Sequence, residues 1–145
     1  MRCLGSSWNL VSPFLPSCAE RAAWRAAQEA AAQPLPCSVP SNCVNSASDG
    51  FTPLVYAGDA ARGLALLQAT LGQFPEATVT ASTALQLTVI FRTTLGFKDE
   101  VMFVLEPGGQ RIHFRSRSLL GLYDFGKNRA RMTAVVAQFQ AEAKR

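Results

Sequence analysis

The chain has 145 residues, 48% of them hydrophobic and 17% charged, with a formal net charge of +4. This length fits one domain with its own core, so global disorder is excluded. No stretch approaches the roughly 18 apolar residues of a membrane span, so we expect no transmembrane segment. The positive excess lies in the second half, since residues 1–72 hold four basic and four acidic side chains and residues 73–145 hold ten and six.

The first third of the chain predicts an N-terminal extension, residues 1–33. Residues 1–16 show neither helical nor strand periodicity and are interpreted as an irregular arm, whereas residues 17–32 are rich in alanine and predict a helix. The extension has no sustained apolar stripe, so we expect it to lie on a partner protein, anchored by large aromatic side chains. These predicted anchors are Trp8, Phe14 and Trp24.

Residues 34–50 are rich in proline, serine and asparagine, and they predict a connector to an α+β domain over residues 51–145. Cys37 and Cys43 bracket a turn-forming segment of the connector, and either a disulfide or two free thiols is consistent with that spacing. The four cysteines of the chain do not have the paired spacing of a structural zinc site. We therefore predict no metal and no cofactor.

The sequence of the domain predicts both strands and helices. Residues 51–56 are predicted to be a short edge strand, and Asp59 is predicted to cap a helix that runs to Gly72. The predicted strands of the meander then span residues 77–83, 85–93, 100–105 and 110–116, and a last helix begins at about Lys127. This order predicts an antiparallel meander of three to five strands covered by two helices.

The third and fourth strands of the meander are predicted to form a hairpin with residues 106–109 as its loop. Such a loop places the apolar pairs on one face of the sheet and a charged pair on the other. The predicted pairs are Phe103 with Ile112, Val101 with Phe114, and Glu100 with Arg115.

The last strand carries a column of basic side chains, because alternate residues point to the same face. A docking site for an anion or a partner is one interpretation, and an exposed face with local pairs such as Arg115 with Glu100 is the other. The excess charge between residues 111 and 131 suits a phosphate, a lipid head group or an acidic protein face. Nucleic acid is not expected, because no known binding motif accompanies the charge. The column consists of Arg111, His113, Arg115 and Arg117.

Catalysis has little support in the sequence. His113 is the only histidine, and Asp99, Glu100 or Asp124 would have to supply the acid of a triad, but no nucleophile elbow surrounds any serine. The triplet of residues 124–126 matches a kinase metal-binding motif, yet the other kinase motifs are missing. We predict no catalytic residue.

Three segments of the chain are similar to one protein family. They are PCSVPSNCVNS at residues 36–46, GFKDEV at 96–101, and RSRSLLGLYDFGKNRAR at 115–131. Over residues 36–138 the chain resembles the DUF1499 family, a bacterial and plastid family of unassigned function. Leu119 and Leu120 depart from the family pattern, which usually has an arginine after the second serine of the third segment.

The third segment predicts a corner between the basic strand and the last helix. Gly121 and Gly126 allow the bend, Asp124 can cap the helix, and Asn128 and Arg129 project near the end of the basic strand. The corner is either a binding site or a structural lock in which Asp124 pairs with an arginine. The residues predicted to dock an anion or a partner are Arg111, His113, Arg115, Arg117, Asn128, Arg129 and Arg131, and the residues predicted to be structural are Glu100, Gly121, Asp124 and Gly126.

The functional hypothesis is a non-catalytic accessory protein. The resemblance to a family with plastid members, together with an N-terminal region rich in alanine, arginine and serine, leads us to expect a peripheral subunit or assembly factor of a photosynthetic thylakoid membrane complex. A bacterial periplasmic or cytoplasmic location is the alternative. The competing functional hypothesis is a binding module or hydrolase for a small anionic ligand at the corner of residues 115–131.

Overall fold

A computed structural model of the chain describes Ala19, residues 36–48 and residues 50–145. Apart from Ala19, the predicted arm and helix lie outside the described residues, and so do the predicted anchors Trp8, Phe14 and Trp24. No helix in the described part of the chain is long and apolar enough to cross a membrane. The elements are a 3-10 turn at Pro40–Asn42, strands β1 (Cys43–Asn45), β2 (Leu54–Val55), β3 (Ala77–Ser82), β4 (Gln86–Arg92), β5 (Lys98–Leu105) and β6 (Arg111–Ser118), and helices α1 (Ala60–Leu71) and α2 (Lys127–Ala143).

The fold is α+β, with an antiparallel meander and two helices, as the sequence predicted. Strands β3 to β6 follow one another across the sheet, each antiparallel to the next. Strands β1 and β2 both pair with the outer edge of β6 and bring the sheet to six strands. The segment predicted as a connector therefore supplies β1, which joins the sheet through a long-range pairing.

Both helices pack on one face of the sheet, where alternate strand residues form the core. Leu87, Val89 and Phe91 of β4 are fully buried, and equivalent residues of β5 and β6 continue the apolar layer. Helix α2 adds Met132, Val135 and Phe139, which recur at helical spacing. The opposite face of the sheet carries the basic side chains of β6.

Helix α1 begins where its sequence predicted. Asp59 is the N-cap, and its Oδ1 accepts a hydrogen bond of 2.9 Å from the backbone nitrogen of Arg62. Gly63 lies on the buried side of the helix, and a Cβ there would stand 2.4 Å from Cζ of Tyr56. The tyrosine ring can cover the helix only because this position has no side chain.

The hairpin between β5 and β6 has a different register from the predicted one. Phe103 pairs with Phe114 and Glu100 pairs with Arg117, a shift of two residues on β6. The backbone nitrogen of Glu106 donates to the carbonyl of Arg111, so the loop contains residues 107–110 instead of 106–109. Because side chains alternate with a period of two, each one still lies on its predicted face.

Candidate functional site

The predicted basic column exists on the face of the sheet away from the helices. Ile112, Phe114 and Ser116 point into the core, so the alternate residues of β6 point to the opposite face. Arg111 and Arg117 are exposed at the two ends of the column. The structure thus brings together four of the predicted docking residues, Arg111, His113, Arg115 and Arg117.

Two glutamates lie among these cations. Glu106 accepts from Arg111 Nε at 3.0 Å and lies 2.7 Å from His113 Nε2, while Glu100 lies 2.9 Å from Arg117 Nε and 3.5 Å from Arg115 Nη2. The hydrogen bond with His113, followed by that with Arg111, lowers the pKa of Glu106 below its usual value against the opposing effect of burial. Local pairs, including the predicted one between Arg115 and Glu100, therefore offset much of the charge of the column.

Arg115 is the unusual member of the column, because only 4% of it is exposed. Burial, followed by the charge of Arg117, lowers the pKa of its guanidinium. Among the described residues, its Nε is a buried side-chain donor without a hydrogen-bond partner. Such a donor is costly to leave unsatisfied, so this part of the face has unused capacity for an acceptor.

His113 lies between a serine and a carboxylate. Its Nδ1 is 3.4 Å from Ser46 Oγ, and its Nε2 faces Glu106. The serine is only 2% exposed, and its Oγ accepts the backbone N–H of Phe114 at 3.1 Å. These contacts extend the β1–β6 pairing past Asn45 and engage the buried hydroxyl. The order of groups resembles that of a catalytic triad, and its serine hydroxyl accepts a hydrogen bond from the backbone of β6.

Sequence reasoning missed two partners of His113. The expected acids were Asp99, Glu100 and Asp124, whereas the structure places Glu106 against the ring. Glu106 was assigned to the hairpin loop, and the two-residue shift of β6 is what brings it beside His113. Ser46 reaches the ring only through the long-range pairing of β1, which no local pattern indicates.

Asn128 and Arg131 lie on the opposite side of the sheet from the basic column. Asn128 is fully buried, and its Oδ1 accepts from Ser116 Oγ at 2.6 Å and from Arg131 Nη1 at 2.9 Å. Arg131 also pairs with buried Asp99, and its guanidinium stacks 5.0 Å from the Phe91 ring. The predicted docking set is thus divided between two faces, and Asn128 is a structural residue because all its polar atoms serve this network.

Asp124 caps the last helix, as the corner motif suggested. Its Oδ1 accepts from the backbone nitrogen of Gly126 and its Oδ2 from that of Asn128, each at 2.9 Å. Burial alone would raise the pKa of this carboxyl, but the hydrogen bonds from Asn128 and Gly126 outweigh it and the pKa lies below its usual value. Arg115 and Arg117 form ion pairs with Glu100 and not with Asp124. Asp124 therefore stabilises this corner through hydrogen bonds from backbone amides.

The corner loop, residues 119–126, is held in place by the turn next to β1. Asn42 Nδ2 donates to the carbonyl of Gly121 at 2.6 Å, Ser41 Oγ donates to that of Leu122, and the Asp124 nitrogen donates to the Ser41 carbonyl at 3.3 Å. Gly121 has a φ of +85° and Gly126 of +75°, the left-handed values that suit glycine. The loop is therefore a defined structure with its own hydrogen bonds.

Cys37 and Cys43 form a disulfide, with their Cα atoms 5.6 Å apart. The bond closes the turn that contains Ser41 and Asn42, the two residues that hold the corner loop.

Of the remaining predicted docking residues, Arg129 is exposed and its guanidinium lies 5.5 Å from the Phe51 ring.

Large apolar side chains project into solvent from the corner loop and from the neighbouring β4–β5 loop. Phe125 is 82% exposed, Leu95 78%, Leu122 76% and Leu120 74%. The two loops are adjacent, because Ser118 at the end of β6 pairs with Asp99 near the start of β5. We call this surface the apolar tip and define it as Leu95, Phe97, Leu120, Leu122, Tyr123 and Phe125.

Phe125 shows how unusual the apolar tip is. Its φ is +56°, and it is the one non-glycine residue with positive φ in the described part of the chain. A bulky side chain in the left-handed region is strained, and its ring packs edge-on against Tyr123 at 4.9 Å while remaining exposed. Neither the backbone geometry nor the burial of Phe125 favours phenylalanine here.

Exposed cations border the apolar tip. Lys98 and Lys127 line a groove of about 330 Å³ between the two loops, together with Leu95, Phe97 and Phe125. Lys98 also faces Arg92 across the β4–β5 pair, so two like charges oppose each other at the base of the tip. We call Arg92, Lys98 and Lys127 the basic collar.

The apolar tip was not recognised in the sequence. A signal was available, because the corner segment contains LLGLYDF, five large apolar residues in a stretch interpreted as a turn. Loops are ordinarily polar, and an apolar run in a loop marks an exposed patch unless the core covers it. Only the structure shows that the core lies elsewhere.

Comparison with known proteins identified one family. A family model described as "Protein of unknown function (DUF1499)" matches residues 20–139. The matched region begins at residue 20, whereas the resemblance described from the sequence begins at residue 36. A search of curated proteins found no match.

Proposed function

The chain belongs to the DUF1499 family, and from this premise and the geometry of the site we propose that it is a non-catalytic accessory protein that attaches to a larger assembly through its apolar tip. The observation that carries the proposal is the exposure of the six tip residues on two loops at one end of the sheet. Contiguous exposed apolar side chains of this kind mark interaction sites on soluble domains.

The rigidity of the tip supports a docking role. Ser41 and Asn42 bind the carbonyls of the corner loop, and Asp124 and Asn128 bind each other across its end. The loop is thus presented in one conformation before any partner arrives, which reduces the entropy lost on binding. A strained, exposed Phe125 is a cost to folding that a docking function explains.

The chemistry-bearing groups of the chain support a non-catalytic role. Ser46 is buried and hydrogen-bonded, His113 and Glu106 bind each other, and Asp99 and Asp124 serve the fold. These serine, histidine and carboxylate groups near His113 and the corner are all committed to structural contacts. These contacts leave a surface for binding available.

The concrete form of the proposal is a peripheral subunit or assembly factor of a photosynthetic complex at the plastid thylakoid membrane. Its support is the resemblance to a family that is expected to have plastid members, together with the alanine- and arginine-rich composition of residues 1–33. An apolar patch with a polar rim is also the general pattern of a protein interface.

Native electrophoresis of detergent-solubilised membranes tests the proposal. The tagged full-length chain is compared with the double variant Leu122→Ser/Phe125→Asn and with Val55→Ser, which removes an apolar side chain, 67% exposed, at the other end of β6. We expect the wild type and Val55→Ser to migrate with a photosynthetic complex and the double variant to migrate alone. A wild-type chain that runs as a monomer would contradict the proposal.

A second candidate function is the binding of a small anion on the basic face of the sheet. The observation in its favour is the buried Nε of Arg115, which has no hydrogen-bond partner among residues 36–48 and 50–145 and is flanked by the cations of the same column. A carboxylate or phosphate that reached this donor would satisfy it and relieve the repulsion between Arg115 and Arg117.

Titration with inorganic phosphate, followed by amide chemical shifts, tests this candidate. Binding predicts saturable shifts along β6 that disappear in Arg115→Met and persist in Arg145→Met, which changes an exposed arginine at the C-terminal end of the chain. Shifts that are small, linear and the same in both variants would reject an anion site.

A further inference from the structure

We propose that the apolar tip inserts into the interfacial layer of an anionic lipid bilayer, with Lys98 and Lys127 against the headgroup phosphates. This inference rests on the proposed function and names the occupant of its docking surface. The tip would then hold the protein on the lipid that borders its assembly, and migration with a complex is expected only where the detergent retains that lipid. A protein partner at the same surface is the competing occupant, and the experiment below separates the two.

The shape of the tip favours lipid. Its side chains project from two separate loops on either side of a groove, and several are more than 70% exposed. A protein partner must match such an uneven surface closely, because protein interfaces pack as tightly as protein interiors. Acyl chains and headgroups adapt to any outline, and apolar side chains at an interface enter only the first 5–10 Å or so of a bilayer.

Part of the corner-loop backbone is already hydrogen-bonded within the protein. The carbonyls of Gly121 and Leu122 accept hydrogen bonds from the side chains of Asn42 and Ser41, and the nitrogen of Asp124 donates to the Ser41 carbonyl. A backbone group that enters the apolar layer without a partner is strongly disfavoured. These bonds lower the cost of bringing the loop into the interfacial layer, where water remains available to its other backbone groups.

The charges beside the tip complement an anionic surface. Lys98 and Lys127 are exposed on the groove, whereas the two acids that line it are already engaged. Asp99 is buried against Arg131, and Asp124 accepts hydrogen bonds from the amides of α2. The groove therefore presents cations without available carboxylates.

Arg92 adds to this field, because it opposes Lys98 in register and an anion between them would relieve their repulsion. Glu76 shares the neighbouring groove with both Arg92 and Lys127. Lys98 does not line that groove, so it is the more specific of the two lysine test positions.

The aromatic residues of the tip are of the types found at membrane interfaces. Tyr123 and Phe125 contact each other edge to face at 4.9 Å and are both exposed. Tyrosine combines an apolar ring with a polar hydroxyl and is enriched at the headgroup level. The pair would place one ring in the acyl boundary and the hydroxyl of the other among the headgroups.

Sedimentation with vesicles tests the proposal. Purified full-length protein is mixed with vesicles of phosphatidylcholine alone or with about one third phosphatidylserine, and bound protein is measured at low and high salt. We expect binding to the anionic vesicles that weakens about fivefold for each lysine removed in Lys98→Gln and Lys127→Gln. The variant Leu122→Ser/Phe125→Asn should lose more than about tenfold.

Two matched controls keep the test specific. Val55→Ser removes an exposed apolar side chain of β2, opposite Arg111 at the far end of β6, and Lys144→Gln removes an exposed lysine directly after α2. Both should bind as the wild type does. Circular dichroism of each variant verifies that a loss of binding is not a loss of folding.

The outcomes separate this inference from the proposed function. Wild-type protein that stays in the supernatant with anionic vesicles overturns the lipid proposal, and so does binding that the tip variants leave unchanged. If that protein still migrates with a detergent-solubilised complex through its tip, the docking function stands and the occupant is a protein. If the wild-type protein neither sediments with anionic vesicles nor migrates with a complex, both proposals fail.

Discussion

At the level of single residues, Phe125 disfavours the folded state, although its exposed ring is suited to binding. Its φ of +56° lies in the region that asparagine tolerates far better than phenylalanine, and its ring is 82% exposed. We expect Phe125→Asn to raise the free energy of unfolding by up to about 1 kcal/mol. Urea denaturation measures this change, and a clear loss of stability would show that the contact with Tyr123 outweighs the strain.

Asp124 makes the opposite contribution, since its carboxylate stabilises the fold. Its pKa is lowered in the folded state, so the stabilisation is complete above the unfolded value near 3.8 and is lost as the pH falls through the folded value. Asp124→Ala should lower the free energy of unfolding by about 1 kcal/mol or more at pH 7. The gap between variant and wild type should narrow on acidification below pH 3.8. Identical denaturation curves at pH 7 would show that the cap contributes nothing.

At the level of elements, the contact of α1 with Tyr56 depends on one missing side chain. Alanine in place of a helical glycine ordinarily stabilises by about 1 kcal/mol. A Cβ at Gly63 would instead lie 2.4–2.8 Å from three atoms of the Tyr56 ring. We expect Gly63→Ala to destabilise by about 1–3 kcal/mol, the usual range for overpacking.

Gly72 provides the matched control for that substitution. It ends the same helix at a φ of −60°, and a Cβ there would meet only backbone oxygens at 3.4 Å or beyond. Gly72→Ala should therefore change the melting temperature little. Equal effects of the two substitutions would mean that helix propensity, and not the tyrosine contact, governs both.

At the level of the whole molecule, the Cys37–Cys43 disulfide connects the start of the described domain to the tip. It closes the turn whose Ser41 and Asn42 bind the corner loop. For a loop this short, removal in Cys37→Ser/Cys43→Ser should cost about 2 kcal/mol of stability. Urea denaturation measures this loss. Denaturation midpoints that are the same for this variant and the wild type would contradict the prediction.

The candidate site was predictable only where its residues act locally. The alternation of β6 placed the four basic residues of the column on one face, and the spacing of Asp124 from the last helix indicated its capping role. The partners of His113 and Asn128 were not predictable in this way. Glu106 faces His113 because of the register of the β5–β6 hairpin, whereas Ser46 and Asn42 come from the distant segment around β1. No local pattern reports these partners, because the hairpin register and the pairing of β1 are set by the packed sheet.

Periodicity, capping and turn chemistry act over a few residues, so local sequence was sufficient to predict the fold class, the two domain helices with the Asp59 cap, and the faces on which the residues of β4, β5 and β6 lie. The register of the β5–β6 hairpin, the pairing of β1 with β6 and the division of the basic residues between two faces were set by tertiary packing. Tertiary packing also decided that the apolar run of the corner loop faces solvent. Such features depend on long-range closure, in which the core fills from the helices and leaves the tip without a place inside it.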